Sequence, residues 1–377
     1  MTVRVLHTAD WHLGASFAVF GEAAARRRED QRGALERIVK HADERSVDAV
    51  LIAGDLFDST RPDEPARETA KDLFDALAIE GIPAFTLPGT HDHTAHGGGA
   101  VCWEHDNLVW FNRVQCDEPR LVETEDEPLW LYGLTAVPGQ RAELDSLRRR
   151  EQEGVHIAML HASLIHGSYF TSAHKDIPVR AADLARLRLD YLALGHYHGA
   201  APIEYEGRLI GAYAGSPAAL RFGEMGPRTA YLVEIDDGAT KLTPLDVGVG
   251  QCLDLRLDVS AAEDDEAIVR LLAGHAGEDV YARFRLSGLL DKPLAGEELA
   301  ARLAPKFAHL VVVDETDLSH SEWLRQVAGE PTVRGHAVGA LLARLDAAPE
   351  GNERRLLKRA LQELLAAFDR HPLERRT

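Results

Sequence analysis

Residues 192–198 place two histidines directly after an apolar run. The run ends at Gly195, and His196 and His198 follow, separated by one residue. In an extended segment alternate side chains lie on one face, so both imidazoles point the same way, and Gly195 permits the tight turn that aims them at a common point. This arrangement is typical of metal ligands. Because His-x-His also occurs in surface loops, the assignment requires further ligands elsewhere in the chain.

Further candidate ligands stand after four other apolar runs of the chain. In an open α/β sheet, ligands bind outside the carboxyl ends of the strands, so short buried strands that each end in Asp or His describe one convergent site. The joint pattern is more specific than any of its parts. The residues concerned are Asp10, His12, Asp55, His91, Asp92 and His161.

The mixture of Asp and His side chains favours phosphoryl chemistry with two metal ions. Oxygen and nitrogen ligands with a carboxylate that can bridge suit two divalent ions about 3.5–4 Å apart, and Asp55 is the natural bridge. Such ions activate a water, so no protein nucleophile is required, and the sequence contains neither a Gly-x-Ser-x-Gly elbow nor a P-loop. The alternative is a set of polar strand ends that bind loop amides.

Composition predicts a soluble globular protein. The chain has 377 residues, 45% of them hydrophobic and 27% charged, which favours two or three domains. Its three cysteines have no Cys-x-x-Cys spacing, so a reducing, cytoplasmic location is expected. No signal peptide and no membrane-length apolar run is present, so no membrane role is expected. The net charge of −19 argues against nonspecific coating of nucleic acid, although bound metal ions can supply positive charge locally.

The elements that position these residues alternate between strand and helix. The alternation predicts a mainly parallel sheet covered by helices. Residues 203–235 alternate in polarity and predict a second, antiparallel layer, and residues 142–153 predict a charged helix. The segments that carry the main alternation are strands at 3–6, 47–53, 84–87 and 156–160 and helices at 22–45 and 64–80.

A composition shift at 236–250 predicts a domain boundary. Residues 251–315 then alternate between strand and helix and predict a small α+β domain. Residues 334–371 predict a helical tail, in which leucines and alanines between 356 and 368 form an apolar stripe at helical spacing. The stripe could pack on its own core or lie in the groove of a partner.

The candidate ligands also carry a family resemblance. In order and context they resemble the motifs of calcineurin-like metallophosphoesterases, and residues 6–14, 214–217 and 222–224 resemble the SbcD-type branch of DNA repair nucleases. The resemblance covers 1–235 and, beyond it, only the layout of the chain. The motifs are Asp10-Trp11-His12, Gly54-Asp55-Leu56-Phe57-Asp58, Gly89-Thr90-His91-Asp92, His161 and Gly195-His196-Tyr197-His198.

The resemblance implies an α/β fold of four layers, with two sheets flanked by helices, a small α+β capping domain and a C-terminal helical tail. It also implies two divalent ions, expected to be Mn²⁺. The first ion would be bound by Asp10, His12, Asp55 and His198. The second would be bound by Asp55, His161, His196 and residue 90.

Three residues after the third strand have separate expectations. His91 matches the family's catalytic histidine, which contacts the scissile phosphate and can protonate the leaving oxygen. Asp92 is expected to orient His91. The family usually has Asn where this chain has Thr90, so the second ion is expected to bind more weakly.

The function that the resemblance implies is DNA exonuclease and endonuclease activity in double-strand break repair. It further implies a partner ATPase of the SbcC type and a homodimer, with the nuclease domain at 1–235, DNA binding by a capping domain at 251–315 and ATPase binding by the tail at 334–371. Two alternatives stay open. One is a phosphodiesterase or protein phosphatase on the same fold, and the other is a scaffold subunit whose second metal site has degenerated at Thr90.

Overall fold

A computed structural model describes most of the chain, in two compact units. The units are Met1–Gln251 and Cys252–Thr377. No helix of the described residues combines the length and hydrophobicity that a bilayer crossing requires. The described residues are 2–93, 103–136, 142–165, 177–290, 292–318, 321–349 and 351–370.

The first sheet of the first unit joins a parallel half to an antiparallel hairpin. Its strands are β1 (Thr2–Thr8), β2 (Ala49–Ile52), β3 (Ala84–Thr86), β4 (Leu108–Trp110), β12 (Thr229–Asp236) and β13 (Ala239–Asp246). The order is β13-β12-β1-β2-β3-β4. Strands β1 to β4 run parallel, while β12 pairs antiparallel with both β1 and β13.

The second sheet has the order β10-β11-β9-β7-β6-β5, with β8 paired to β7. Its central strands β11, β9, β7 and β6 run parallel, and the outer pairs are antiparallel. The strands are β5 (Arg120–Val122), β6 (Leu129–Gly133), β7 (Val155–Leu164), β8 (Ile177–Val179), β9 (Tyr191–Gly195), β10 (Ala201–Tyr205) and β11 (Arg208–Tyr213).

Because side chains alternate along a strand, the two faces of the first sheet pack against different layers, one against the second sheet and the other against helices. In β1, Val5 packs between the two sheets and the adjacent Leu6 packs under the helices. Helices α1 (Ala24–Glu44) and α2 (Glu64–Ile79) cover the first sheet. The short helix α3 (Ala181–Ala185) packs on the outer face of the second. The expected fold of two sheets flanked by helices is therefore confirmed.

Two local expectations were wrong. Residues 203–235 do not form a layer of their own, because β10 and β11 extend the second sheet whereas β12 joins the first. Within 142–153 the only helical turn is a 3-10 turn at Leu144–Leu147. The arginines that follow bind distant groups instead, as when Arg149 forms an ion pair with Asp190 at 2.6 Å.

The second unit is a three-stranded sheet with helices on one face, followed by three more helices. The sheet order is β14-β15-β16, with β15 and β16 parallel. Leucine, valine and phenylalanine side chains of the sheet pack against α4 and α5. The elements are β14 (Gln251–Asp258), α4 (Asp265–Ala273), β15 (Gly277–Leu289), α5 (Gly296–Leu303), β16 (Phe307–Asp317), α6 (Glu322–Ala328), α7 (Val333–Ala347) and α8 (Asn352–Arg370).

The apolar stripe of α8 packs largely within its own unit. Leu357, Leu361 and Leu365 are buried, and Leu361 and Leu365 share a core with α6 and α7. The Lys358 ammonium also lies 2.5 Å from the Asp317 carboxylate at the end of β16. Leu356, on another face of the helix, is 69% exposed.

Candidate metal centre

The candidate ligands come from two sheets packed face to face, and not from a single open sheet. Side chains at the ends of three strands of the first sheet and two of the second lie close together within the first unit. His161 and Gly195, for example, are direct neighbours across the pair β7 and β9. The loops after β1, β2 and β3 supply Asp10 and His12, then Asp55, then Thr90, His91 and Asp92, while β7 supplies His161 and the turn after β9 supplies His196 and His198.

Four of these residues have a left-handed backbone. The φ angles are 52° at Asp10, 50° at His12, 48° at Asp55 and 105° at His196. Such conformations are costly for residues other than glycine and persist where the surroundings enforce them, commonly at functional sites. Here the loops hold each other, since the Asp10 amide donates to the Gly54 carbonyl at 3.0 Å and the His12 amide to the Asp55 carbonyl at 2.9 Å.

Two glycines allow the loops to approach this closely. A Cβ atom at Gly195 would lie 1.9 Å from the Ala53 carbonyl oxygen, and one at Gly89 would lie 2.3 Å from Asp55 Oδ1. Any side chain at either position would displace a neighbouring ligand loop. Glycines therefore precede candidate site residues at positions where the backbones of the ligand loops pack closely.

The first cluster consists of Asp10, His12 and His198, whose ligand atoms all lie within 4.8 Å of one another. Nε2 of His12 is 3.2 Å from Nε2 of His198 and 3.7 Å from Asp55 Oδ2. Nδ1 of His12 donates to Asp58 Oδ1 at 3.0 Å. Both Nε2 atoms therefore face the carboxylates, as ligands of a shared cation do.

The second cluster consists of Asp10, Asp55 and His161. Nδ1 of His161 donates to the Ala53 carbonyl at 3.0 Å. Its Nε2 is buried 3.3 Å from Asp55 Oδ2 and forms no well-aligned hydrogen bond with a described residue. A buried ring nitrogen without a hydrogen bond, aimed at carboxylates, fits a divalent cation at this point.

Two expected ligands of the second ion lie differently. The described residues form a third group of possible ligands, His12, Asp58 and His91, and His196 is in none of the three. The His196 ring centroid is nevertheless 5.2 Å from that of His161, and its amide donates to Asp10 Oδ1 at 3.0 Å. Thr90 donates its hydroxyl to Asp55 Oδ2 at 3.2 Å. Asp10 is the carboxylate common to both clusters, while Asp55 lies beside a histidine of each.

The electrostatics of the site favour a cation. Burial raises the pKa of Asp55, but the nearby charges of His161 and His12 outweigh burial and hold that pKa well below its usual range. For His161 the effects are reversed. Burial lowers the pKa of its imidazole, but the Asp55 and Asp10 carboxylates have the larger effect and raise that pKa. The carboxylates that favour protonated imidazoles would equally favour a divalent ion in the same place, and binding of that ion would displace the imidazole protons.

Asp58 is the carboxylate that contacts His91. Nδ1 of His91 lies 3.2 Å from Asp58 Oδ1, and this hydrogen bond raises the pKa of His91 to about 9. The His91 ring stands edge-on to that of His12, with 4.6 Å between centroids. Since the side chain is 47% exposed, a large substrate can reach it.

Asp92 does not take the role expected of it. Its buried carboxylate accepts hydrogen bonds from the amides of Gly89 at 2.7 Å and Phe57 at 3.2 Å. Burial, with the nearby charge of Asp55, raises its pKa to about 7. Asp92 shapes the loop that carries His91, and the expectation that it orients the His91 ring is corrected in favour of Asp58.

Three supporting residues were missed in the sequence. Asp58 follows Asp55 by three positions within a motif already recognised, and Glu224, which contacts His198, lies in the segment 222–224. Both could have been found from those motifs. Gln31 of α1 donates to the Trp11 carbonyl at 2.6 Å, and no local signal distinguishes it from other polar residues of the helix.

Comparisons with known proteins agree with this geometry. The profile of the family described as calcineurin-like phosphoesterase matches residues 3–200, a range that contains every sequence-predicted site residue. Relatives include the uncharacterized metallophosphoesterase YhaO of Bacillus subtilis, 27% identical over 62% of this chain and 57% of that protein. The SbcD component of the SbcCD nuclease of the same species is 27% identical over 59% of this chain and 64% of its own length.

A third relative is the DNA double-strand break repair protein Mre11 of Haloferax volcanii. It is 30% identical over 79% of this chain and 64% of its own length. The chain therefore spans less than two thirds of the length of each of these three relatives.

Proposed function

Since the chain belongs to the calcineurin-like phosphoesterase family, we propose that it hydrolyses phosphodiester bonds of DNA with two divalent ions, Mn²⁺ being the expected metal. The observation that carries the proposal is the pair of ligand clusters that share Asp10, with His91 beside them. Ions bound there would polarise the phosphate and lower the pKa of a water.

The ligand roles follow from the distances. Asp10, His12 and His198 are proposed to hold the first ion, and Asp55 and His161 the second, with the Asp10 and Asp55 carboxylates between them. His196 is proposed to complete the second site from its place beside His161. Thr90 is proposed to act on the Asp55 carboxylate through its hydroxyl and not as a direct ligand.

His91 is proposed as the general acid. The Asp58 carboxylate raises the pKa of His91 and so favours the protonated ring, which can donate a proton to the leaving oxygen of the DNA strand. Asp58 holds Nδ1 of His91 at 3.2 Å, which leaves Nε2 to face the substrate. A positioned acid of this kind contributes on the order of 10²-fold or more to the rate.

The remaining proposals concern DNA and partners. One relative is named for DNA double-strand break repair and another is named as part of the SbcCD nuclease, so we extend DNA cleavage and an SbcC-type ATPase partner to this chain. Residues 251–315 are proposed to guide DNA, because a small substrate needs no second unit. The tail 334–371 is proposed to bind the ATPase, and the resemblance is the basis for a homodimer.

The proposed partner contact of the tail involves its exposed apolar side chains. Because Leu361 and Leu365 pack in the core of their own unit, we propose that exposed apolar residues of α7 and α8 make the contact. Val333 is 71% exposed and Leu356 is 69% exposed. These two side chains are the natural anchors of such a contact.

One assay separates these functions. Release of nucleotides from double-stranded DNA is measured with and without Mn²⁺, beside bis(p-nitrophenyl) phosphate and a phosphoprotein. Asp55→Asn, which keeps the size of the side chain but loses its charge, is the matched variant. We expect Mn²⁺-dependent cleavage of DNA that Asp55→Asn abolishes. Hydrolysis of the small diester or the phosphoprotein without cleavage of DNA would contradict the nuclease proposal.

A further inference from the structure

The segment 214–228 reaches the back of the first ligand cluster through Glu224. Oε1 of Glu224 lies 2.9 Å from Nδ1 of His198, and the Glu224 side chain is only 9% exposed. The opposite ring nitrogen of His198, Nε2, is the one that lies 3.2 Å from Nε2 of His12. Glu224 therefore contacts a candidate ligand from the side away from the ion, 26 positions along the chain.

Contacts with other elements hold the segment that carries Glu224 in place. The Leu220 amide donates to Glu224 Oε2 at 2.8 Å, so the second carboxylate oxygen is also occupied. Arg27, fully buried in α1, donates to the Ala219 carbonyl at 3.2 Å. The ring of Phe222 packs on that of Phe20 with 4.8 Å between centroids. Glu224 thus projects from a firmly anchored backbone.

A second arginine ties the same segment to the backbone of His198. Nη1 of Arg228 donates to the His198 carbonyl at 3.0 Å, and Nη2 donates to the Met225 carbonyl at 2.9 Å. Arg228 is 5% exposed. One guanidinium therefore fixes the distance between the His198 backbone and the residue next to Glu224.

We infer that Glu224 is a positioning residue for His198, which accepts the Nδ1 proton and so leaves Nε2 unprotonated toward the ion. A carboxylate behind a ligating imidazole selects the tautomer, fixes the ring orientation and makes the ligand nitrogen more basic. This inference rests on the metal-binding part of the proposed function. It assigns a role to the segment 222–224, which the ligand set does not explain.

The test is Mn²⁺ affinity, measured without DNA by electron paramagnetic resonance of free and bound Mn²⁺. Glu224→Ala should weaken the tighter Mn²⁺ site by about 10- to 100-fold, the usual cost of losing such a partner. Glu224→Gln, whose amide oxygen can still accept the Nδ1 proton, should recover most of that affinity. Glu204 is an exposed residue of β10, and Glu204→Gln is the matched control, which should bind Mn²⁺ as wild type does.

A double-mutant cycle excludes a merely structural role. If Glu224 acts through His198, Glu224→Ala should cause no further loss of Mn²⁺ affinity in a His198→Ala background. Additive losses would overturn the inference, as would wild-type affinity in Glu224→Ala or an equal loss in Glu224→Gln. A wild-type chain that binds Mn²⁺ but leaves DNA intact would contradict the nuclease proposal and leave this measurement valid.

Discussion

Replacing Asp58 by Asn should lower the pH above which the rate of DNA cleavage declines. Asp58 contacts His91 Nδ1 at 3.2 Å, and their hydrogen bond raises the pKa of His91 from 6.5 to about 9. A raised histidine pKa keeps the acid form present below that pKa and loses it above. Without the Asp58 charge the pKa of His91 should fall toward 6.5, so the alkaline limb of the rate profile should move down with it.

The size of the effect follows from the two pKa values. With the whole shift lost, the protonated fraction of His91 falls about fourfold near pH 7 and about 75-fold near pH 8.5. Because the His91 side chain is 47% exposed, solvent screens part of the charge interaction. A loss of roughly tenfold near pH 8.5, against less than about twofold near pH 7, is the expected outcome.

The assay is the pH dependence of cleavage in saturating Mn²⁺, for DNA and for bis(p-nitrophenyl) phosphate. The DNA leaving group is a basic alkoxide that needs protonation, whereas p-nitrophenolate leaves without it, so only the DNA profile should move. Asn can still accept the Nδ1 proton of His12, and an unchanged Mn²⁺ content confirms that the ligands are intact. His91→Ala should remove the alkaline limb while Mn²⁺ still binds. An unmoved limb in Asp58→Asn, or equal losses on both substrates, would refute the reasoning.

Three further predictions concern ligands and the tail. Asp55→Ala should reduce hydrolysis of the small diester more than tenfold in saturating Mn²⁺, because Asp55 lies beside a histidine of each cluster; retention of over about a tenth of the activity would contradict this. Thr90→Asn offers a carbonyl oxygen in place of a branched hydroxyl and should tighten the second Mn²⁺ by about tenfold in calorimetry, or about 1.4 kcal/mol; an unchanged second site would show that Thr90 does not limit it. Leu356→Asp, on an exposed face of α8, should weaken co-purification with the ATPase at unchanged melting temperature, and undiminished capture would argue against the tail as its binding site.

Local patterns in the sequence were sufficient to predict most of the side chains that the structure brings together at the candidate site. Each ligand loop follows a short apolar strand, and glycines such as Gly89 and Gly195 mark close approach of backbone, so residue type and order indicate the metal chemistry directly. The helices α1 and α2 were also predictable within a few residues, since the apolar spacing of both helices and the N-terminal cap of α2 are local features. For α2, Asp63 accepts a hydrogen bond from the Ala66 amide at the helix start.

Contacts between distant segments could not be predicted in this way. Alternation shows which face of a strand is buried but not which sheet the strand joins, so the placement of β12 beside β1 required the tertiary structure. Asp92 is next to His91 in the chain whereas Asp58 is 33 positions away, and only the loop geometry brings Asp58 to the ring. Glu224 meets His198 because Arg27 and Arg228 anchor its segment. In each case the deciding contact joins residues far apart in the chain, where side-chain periodicity carries no information.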